Sequence, residues 1–248
     1  MKDSWQSVVA QLDILRTTFH FVEEPGLWAQ AVHSTVVLDW SEENVTNGAI
    51  TSGQITSWIS SVSFLQNDQF TKPPIRFRLF VDELGESTLV LVMHHAVYDG
   101  FSLGKLLKMV QDLYHDITPI PSPPFSKFIP DILYEETEGI EFWKPRIQNI
   151  SPVNFPRDIS IGSEGSWQSR KVTTIDTQAV DRTCRRLEIT TQAIGQAAWS
   201  KVLMEHFDSK ETVFGQVISG RSLPESEDVI GPILVSRATR FKDLKQEF

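Results

Sequence analysis

Apolar positions recur at helical intervals from the start of the chain. Trp5, Val8, Val9, Leu12 and Leu15 share one face, which predicts an amphipathic helix beginning near residue 4. Residues 28–38 are β-branched and apolar enough for a strand. Over residues 74–81 the pattern alternates, with Ile75, Phe77, Leu79 and Val81 set against Arg76, Arg78 and Phe80, so a half-buried strand is expected. Between the two, residues 41–70 are polar and serine-rich and read as loop with a short helix. A turn over 82–87 then leads to residues 88–93, apolar throughout, which predicts a hairpin whose second strand is central and covered on both faces.

Beyond Gly100 the spacing becomes helical again at Leu103, Leu106, Leu107, Val110, Leu113 and Tyr114, with Ser102 placed to cap the first turn. Residues 117–130 contain five prolines and read as an extended connector, the first candidate boundary. A helix over 135–148, a loop over 151–165, a strand over 171–175 and helices over 181–187 and 191–207 follow. The last helix carries Ile194, Ala197, Ala198, Val202 and Leu203 on one face, and Trp199 is read as core.

Composition narrows the function classes. A net charge of −9 argues against a general phosphate-binding surface, and so against nucleic acid as a partner. Cys184 is the one cysteine, which excludes an intrachain disulfide and a cysteine-built zinc site and fits a reducing cytoplasm. The first residues lack the basic and apolar blocks of a secretory signal, and the longest apolar run, residues 89–93, is too short to cross a bilayer. No membrane partner is expected.

The chemistry concentrates in MHHAVYDG, residues 93–100. An apolar strand delivers His94 and His95 to its end, where only one of two successive side chains can face a given cleft. Imidazole exchanges a proton near neutral pH, which suits it to general acid or base work. Asp99 can orient the loop or balance an arginine, and Gly100 allows a backbone conformation closed to other residues. Taken alone, the pattern fits structural, hydrogen-bonded histidines equally well. A metal site is disfavoured because no third ligand stands at a convincing interval.

Further segments carry a resemblance. MHHAVYDG resembles the HHxxxDG signature of nonribosomal peptide synthetase condensation domains of the fungal type. Leu15 to Phe19 resembles the LRTxF element, residues 190–203 a helix with an Ala-Ala-Trp centre, residues 213–221 the FGxxxSGR segment, and residues 228–232 the element containing IGP. The resemblance implies an α/β (α+β) fold of two lobes, each like chloramphenicol acetyltransferase. Residues 1–165 correspond to a nearly complete first lobe and 166–248 to a partial second one, with the chain entering after the first lobe's opening strand. It also implies amide-bond formation between an upstream acyl or peptidyl thioester and a downstream aminoacyl thioester. Both are carried on phosphopantetheine arms of partner carrier proteins, and the chain itself binds no cofactor.

On this resemblance His95 is the residue at the reacting amine, and His94 a buried support. Asp99 shapes the loop through an arginine, and Gly100 offers its N–H to the developing oxyanion. Phe214, Gly215, Ser219 and Arg221 are candidates for lining the substrate tunnel. The family's Arg-His pair before LRT is Gln11 and Leu12 here, which leaves Arg16 as the cation of that element and leaves open which arginine meets Asp99. Residues 234–240 lack the family's proline. Two other readings stand beside the condensing enzyme: a truncated, inactive remnant or carrier-binding module, and a coenzyme A-dependent acyltransferase sharing HxxxD.

Overall fold

The computed structural model describes residues 1–46, 48–65, 70–148, 150, 173–221 and 225–242. These form two compact units, one of residues 1–137 with 219–235, the other of residues 138–218 with 236–248. The lobe boundary expected near residue 165, and the loop over 151–165, lie outside the described residues.

In the first unit, helix α1 (Lys2–Gln11) buries Trp5, Val8 and Val9 as its spacing predicts. It stops four residues short of Leu15. Asp13 ends it, because its carboxylate accepts from the N–H groups of Ile14 at 2.8 Å and of Phe125 and Ser126 at 2.9 Å each. The chain therefore turns through the 3-10 segment Ile14–Arg16, which still buries Ile14 and Leu15. Burial pushes the Asp13 carboxyl up, but the Ser126, Phe125 and Ile14 hydrogen bonds outweigh it and hold the group below the usual carboxylate range.

Strands β1 (Thr17–Val22) and β2 (Leu27–Val32) form an antiparallel hairpin with Thr17 opposite Val32. The strand expected over 28–38 thus ends at Val32. A three-stranded sheet has the order β3 (Trp40–Val45), β4 (Ile75–Asp82), β5 (Ser87–Met93), with β3 parallel and β5 antiparallel to β4. β3 falls in the stretch read as loop. Its polarity is resolved by side-chain pairing, since Glu43 meets Arg78 at 2.9 Å and Trp40 stacks on Phe77 at 5.5 Å.

The hairpin of β4 and β5 matches expectation, but the roles within the sheet do not. The strand β4 is central and β5 is half-exposed along its length, with no strand on its far side among the described residues. Phe80, expected on the polar face of β4, is fully buried, whereas Arg76 and Arg78 keep their charges in contact with Asp39 and Glu43. The expected short helix is α2 (Ser52–Ser61), opened by a Thr51–Gln54 capping box, and its Trp58 lies under the Arg78 guanidinium at 5.3 Å.

Helix α3 (Gly100–Tyr114) packs with α1, and Leu106, Met109 and Val110 join Trp5 and Phe77 in one core. Trp5 meets Phe77 edge-on at 4.9 Å. The proline-rich stretch ends in a 3-10 turn, Phe125–Phe128, and α4 (Ile129–Ile147) begins six residues before the expected start. From more than a hundred residues further on, Val229, Ile230 and Ile233 enter the same core. They are guided there by Ile230 N–H donating to Ser122 Oγ at 3.0 Å.

The second unit holds α5 (Thr177–Leu187) and α6 (Thr191–His206), which pack together, and the strands β6 (Glu211–Ser219) and β7 (Leu234–Lys242) pair in a two-stranded sheet. Of the strand expected over 171–175, residues 171 and 172 lie outside the described residues and 173–175 are not strand. On α6, Leu203 and Ser200 are buried, while Val202 is 53% and Trp199 50% exposed, so Trp199 is not core here.

Gly231 passes so close to Phe125 that a Cβ there would stand 2.4 Å from the ring. Gly231→Ala is therefore expected to destabilise the first unit by about 1–3 kcal/mol. Chemical denaturation measures this, and Phe125→Ala in the same chain should cost less in the Gly231→Ala background than in the wild type.

Candidate functional site

The motif loop leaves β5 through a tight turn. His94 N–H still bonds Pro74 C=O at 3.0 Å beside the start of β4, and Val97 N–H closes the turn on His94 C=O at 3.1 Å. The Nδ1 of His94 accepts from Ala96 N–H at 3.2 Å, so a neutral His94 carries its proton on Nε2. The His94 ring stands edge-on to Phe64 and Phe70, with centroids 6.0 and 5.1 Å away. His94 is nonetheless exposed rather than the buried support expected, because it lies in the turn after the strand has ended.

His95 is exposed, and its imidazole lies nearly parallel to the Tyr98 ring at 4.7 Å with a 10° interplanar angle. Asp99 then disappears from solvent. It is the N-cap of α3, its Oδ1 accepting from Ser102 N–H at 2.6 Å while Ser102 Oγ accepts from Asp99 N–H at 3.0 Å. Ser102 is thus the third helical residue of a capping box and not the cap itself, because the longer, charged Asp99 already occupies that position. Gly100 is the first helical residue and does not have a positive φ, so the conformational freedom glycine allows is not used there.

Arg221 supplies the charge opposite Asp99. One terminal nitrogen donates to both carboxylate oxygens, at 3.1 and 2.9 Å, and to Gly231 C=O at 3.0 Å. The other donates to the carbonyls of Ser226 and Val229, each at 2.8 Å, and the guanidinium lies 4.7 Å from the Phe101 ring centroid. Asp99 Oδ2 also accepts from Ile233 N–H at 3.2 Å. The two side chains are 5% and 1% exposed. Burial raises the Asp99 carboxyl, yet the Ser102 and Arg221 contacts outweigh it and its pKa falls below the ordinary value.

Arg16 is placed elsewhere. It donates to the carbonyls of His33 and Ser34, bracing the chain after β2, and its buried Nε has no hydrogen-bond partner among the described residues. The open question of the Asp99 partner is thereby answered by Arg221, the residue offered as a tunnel candidate. The sequence held one signal for this pairing: an Arg in an S-G-R segment just before I-G-P, whose backbone wraps the guanidinium. Ser219 Oγ accepts from Arg221 N–H at 3.4 Å. Phe214 and Gly215 belong to the second unit, where Phe214 stacks on Phe241 at 6.1 Å and Gly215 is exposed. Tyr98, beside His95, escaped sequence reasoning although it is the aromatic residue inside the motif.

Among the described residues no group of three or more His, Cys, Asp or Glu side chains is placed to hold a metal. None of their helices is long and apolar enough to cross a membrane. What the arrangement offers is an exposed imidazole at a strand end, carried on a loop whose far end is pinned by a buried ion pair.

A family model described as the condensation domain matches residues 1–245. The chain is 35% identical over 240 residues to the nonribosomal peptide synthetase NPS2 of Ceriporiopsis subvermispora, covering 94% of this chain and 10% of that protein. It is 33% identical over 234 residues to the coprinoferrin synthetase of Coprinopsis cinerea, covering 94% of this chain and 9% of the relative. The ferrichrome siderophore peptide synthetase of Mycosarcoma maydis is 28% identical, with 96% and 6% covered. The chain thus spans a tenth or less of the length of these relatives. Among solved structures, the epimerization domain from the third module of tyrocidine synthetase B superposes with a TM-score of 0.74 at 15% identity, covering 98% of this chain and 60% of that one. The condensation domain from the monacolin K polyketide synthase MokA gives 0.67 at 17%, covering 98% and 59%. These likenesses establish the mixed α/β condensation-domain fold.

The ion pair generates two expectations. Asp99→Ala leaves the Arg221 charge buried and unpaired and should cost roughly 3–5 kcal/mol in denaturant unfolding. Because the folded carboxyls of Asp99 and Asp13 both lie below their ordinary values, their contribution is fully present above the unfolded carboxylate pKa of about 3.9 and is lost as pH falls through the depressed folded values. A stability-versus-pH series on wild type and Asp99→Asn should show a shallower acid limb in the variant.

Proposed function

The chain belongs to the condensation-domain family, and from that premise we propose that it forms the amide bond of nonribosomal peptide synthesis between two carrier-bound thioesters. The amine of a downstream aminoacyl thioester attacks the carbonyl of an upstream acyl or peptidyl thioester. The C–N bond forms, the C–S bond breaks, the upstream pantetheine thiol leaves, and the amine proton is lost to base or solvent. The observation that carries this reading is the exposed His95 on a loop held by the Asp99–Arg221 pair.

A thioester is already an activated acyl donor, so the larger contribution expected of His95 is to hold the attacking amine in line by a hydrogen bond, with proton removal second. Gly100 is the first residue of α3, so its N–H is at the positive end of the helix dipole, where a developing oxyanion would be stabilised. Asp99 and Arg221 act by holding the loop and do not touch the reacting atoms. The substrates arrive on the phosphopantetheine arms of carrier domains in the cytoplasm, and the chain contributes no cofactor of its own. The names of the coprinoferrin and ferrichrome relatives support a siderophore peptide as the product class.

The test mixes the purified chain with one acyl-loaded and one aminoacyl-loaded carrier protein and follows the thioesters by mass spectrometry. Wild type should transfer the acyl group to the downstream carrier, and His95→Ala should slow this by roughly 10²–10⁴-fold. A folded wild type that binds both carriers yet forms no amide would refute the enzyme reading in favour of a carrier-binding module.

A further inference from the structure

The His95 imidazole is exposed, and an exposed side chain on a turn explores several rotamers unless a neighbour restrains it. The described structure gives His95 one such neighbour, Tyr98. Their centroids are 4.7 Å apart and their planes 10° from parallel. With aromatic carbons in contact at about 3.5 Å, that separation leaves a lateral offset of about 3 Å, the displaced-parallel arrangement that ring quadrupoles favour.

Both ends of this stack are fixed independently. On the His95 side, the turn is closed by the two hydrogen bonds that reach back to His94, from Val97 N–H and Ala96 N–H. On the Tyr98 side, the next residue is Asp99, whose carboxylate and backbone are tied by the capping box, by Arg221 and by Ile233 N–H. Val97, between His95 and Tyr98 in the chain, is buried in the core at 1% exposure. The loop therefore exposes His95, holds Tyr98 half-buried against the core beside it, and anchors Val97 and Asp99 inward.

The geometry points to Tyr98 as a positioning residue for His95: its ring face fixes the plane of the imidazole, and the phenol hydroxyl is dispensable for this. The assignment to catalysis rests on the condensation reading above, whereas the stack itself does not.

Two measurements on the full chain separate these. In the first, the His95 ring protons are followed by NMR, assigned by their disappearance in His95→Ala. The phenol ring current should displace at least one of them upfield in wild type and in Tyr98→Phe, and the displacement should vanish in Tyr98→Leu and Tyr98→Ala. In the second, the two-carrier assay is run on the same proteins. Tyr98→Phe should keep wild-type rates, while Tyr98→Leu, which retains apolar volume without a π face, should lose about 10- to 100-fold in kcat with KM for either carrier little changed. Thermal melts identify any variant that has merely unfolded, and Tyr98→Leu serves where Tyr98→Ala does so.

No upfield displacement in wild type, or one that survives in Tyr98→Leu, overturns the stack. Equal kinetic losses in Tyr98→Phe and Tyr98→Leu overturn the assignment to the ring face and transfer it to the hydroxyl. Should wild type form no amide while the ring-current pattern holds, the condensation reading fails and the positioning of His95 by Tyr98 stands.

Discussion

Asp99 and Arg221 are 122 residues apart in sequence and share a site nearly closed to water, so each charge must find its compensation inside the protein. Removing a carboxylate and a guanidinium from water costs several kcal/mol per ion, and the attraction between them offsets this only when the remaining donors and acceptors are also filled. Here most are. The carboxylate accepts from Arg221, Ser102 N–H and Ile233 N–H, and the guanidinium adds three backbone carbonyls, leaving its buried Nε without a hydrogen-bond partner among the described residues. The geometry of these partners determines the path of the backbone from 226 to 233 as much as it does the motif loop.

Three otherwise separate features follow from that requirement. Asp99 can cap α3 and neutralise Arg221 at once only if the helix begins at Gly100, which places the motif turn directly between β5 and the helix. The backbone of 229–233 must curl around the guanidinium, and this brings Val229, Ile230 and Ile233 into the core beside Phe125 and Phe128. Gly231 is required where that curl meets the Phe125 ring. On the surface, Lys105 reaches Asp228 at 2.6 Å and Lys127 reaches Glu225 at 2.5 Å, but exposed pairs of this kind contribute little beside the buried one.

Elements governed by local periodicity were legible in the sequence. α3, the β4–β5 hairpin, α5 and α6 are present, with boundaries displaced by a few residues, and His95 is in the expected strand, turn and helix context. What escaped depends on partners distant in the chain. The polar strand β3 forms because β4 offers Arg78 and Phe77 to Glu43 and Trp40, information absent from residues 40–45 themselves. Asp13 stops α1 by capturing amides more than a hundred residues away. The choice of Arg221 over Arg16 turns on which guanidinium is surrounded by free carbonyls, and that is a property of the folded backbone alone. The apolar run of β5 was misread for a related reason: burial on both faces depends on what lies across the sheet, and among the described residues that strand is an edge.

Exposure and order run in opposite directions through the site, and the contrast has a physical reason. A histidine that must meet substrate cannot be packed on all sides, so its precision has to come from the backbone beneath it and from the few neighbours that leave its edge open. The buried ion pair fixes Asp99, the helix cap fixes the exit of the loop, buried Val97 fixes its middle, and hydrogen bonds to His94 fix its entry. Each support acts one to four residues away from His95 and none covers its imidazole edge. A face-to-face aromatic neighbour completes such a scheme at little cost in access, since stacking occupies one face of the ring and leaves both nitrogens free to hydrogen-bond.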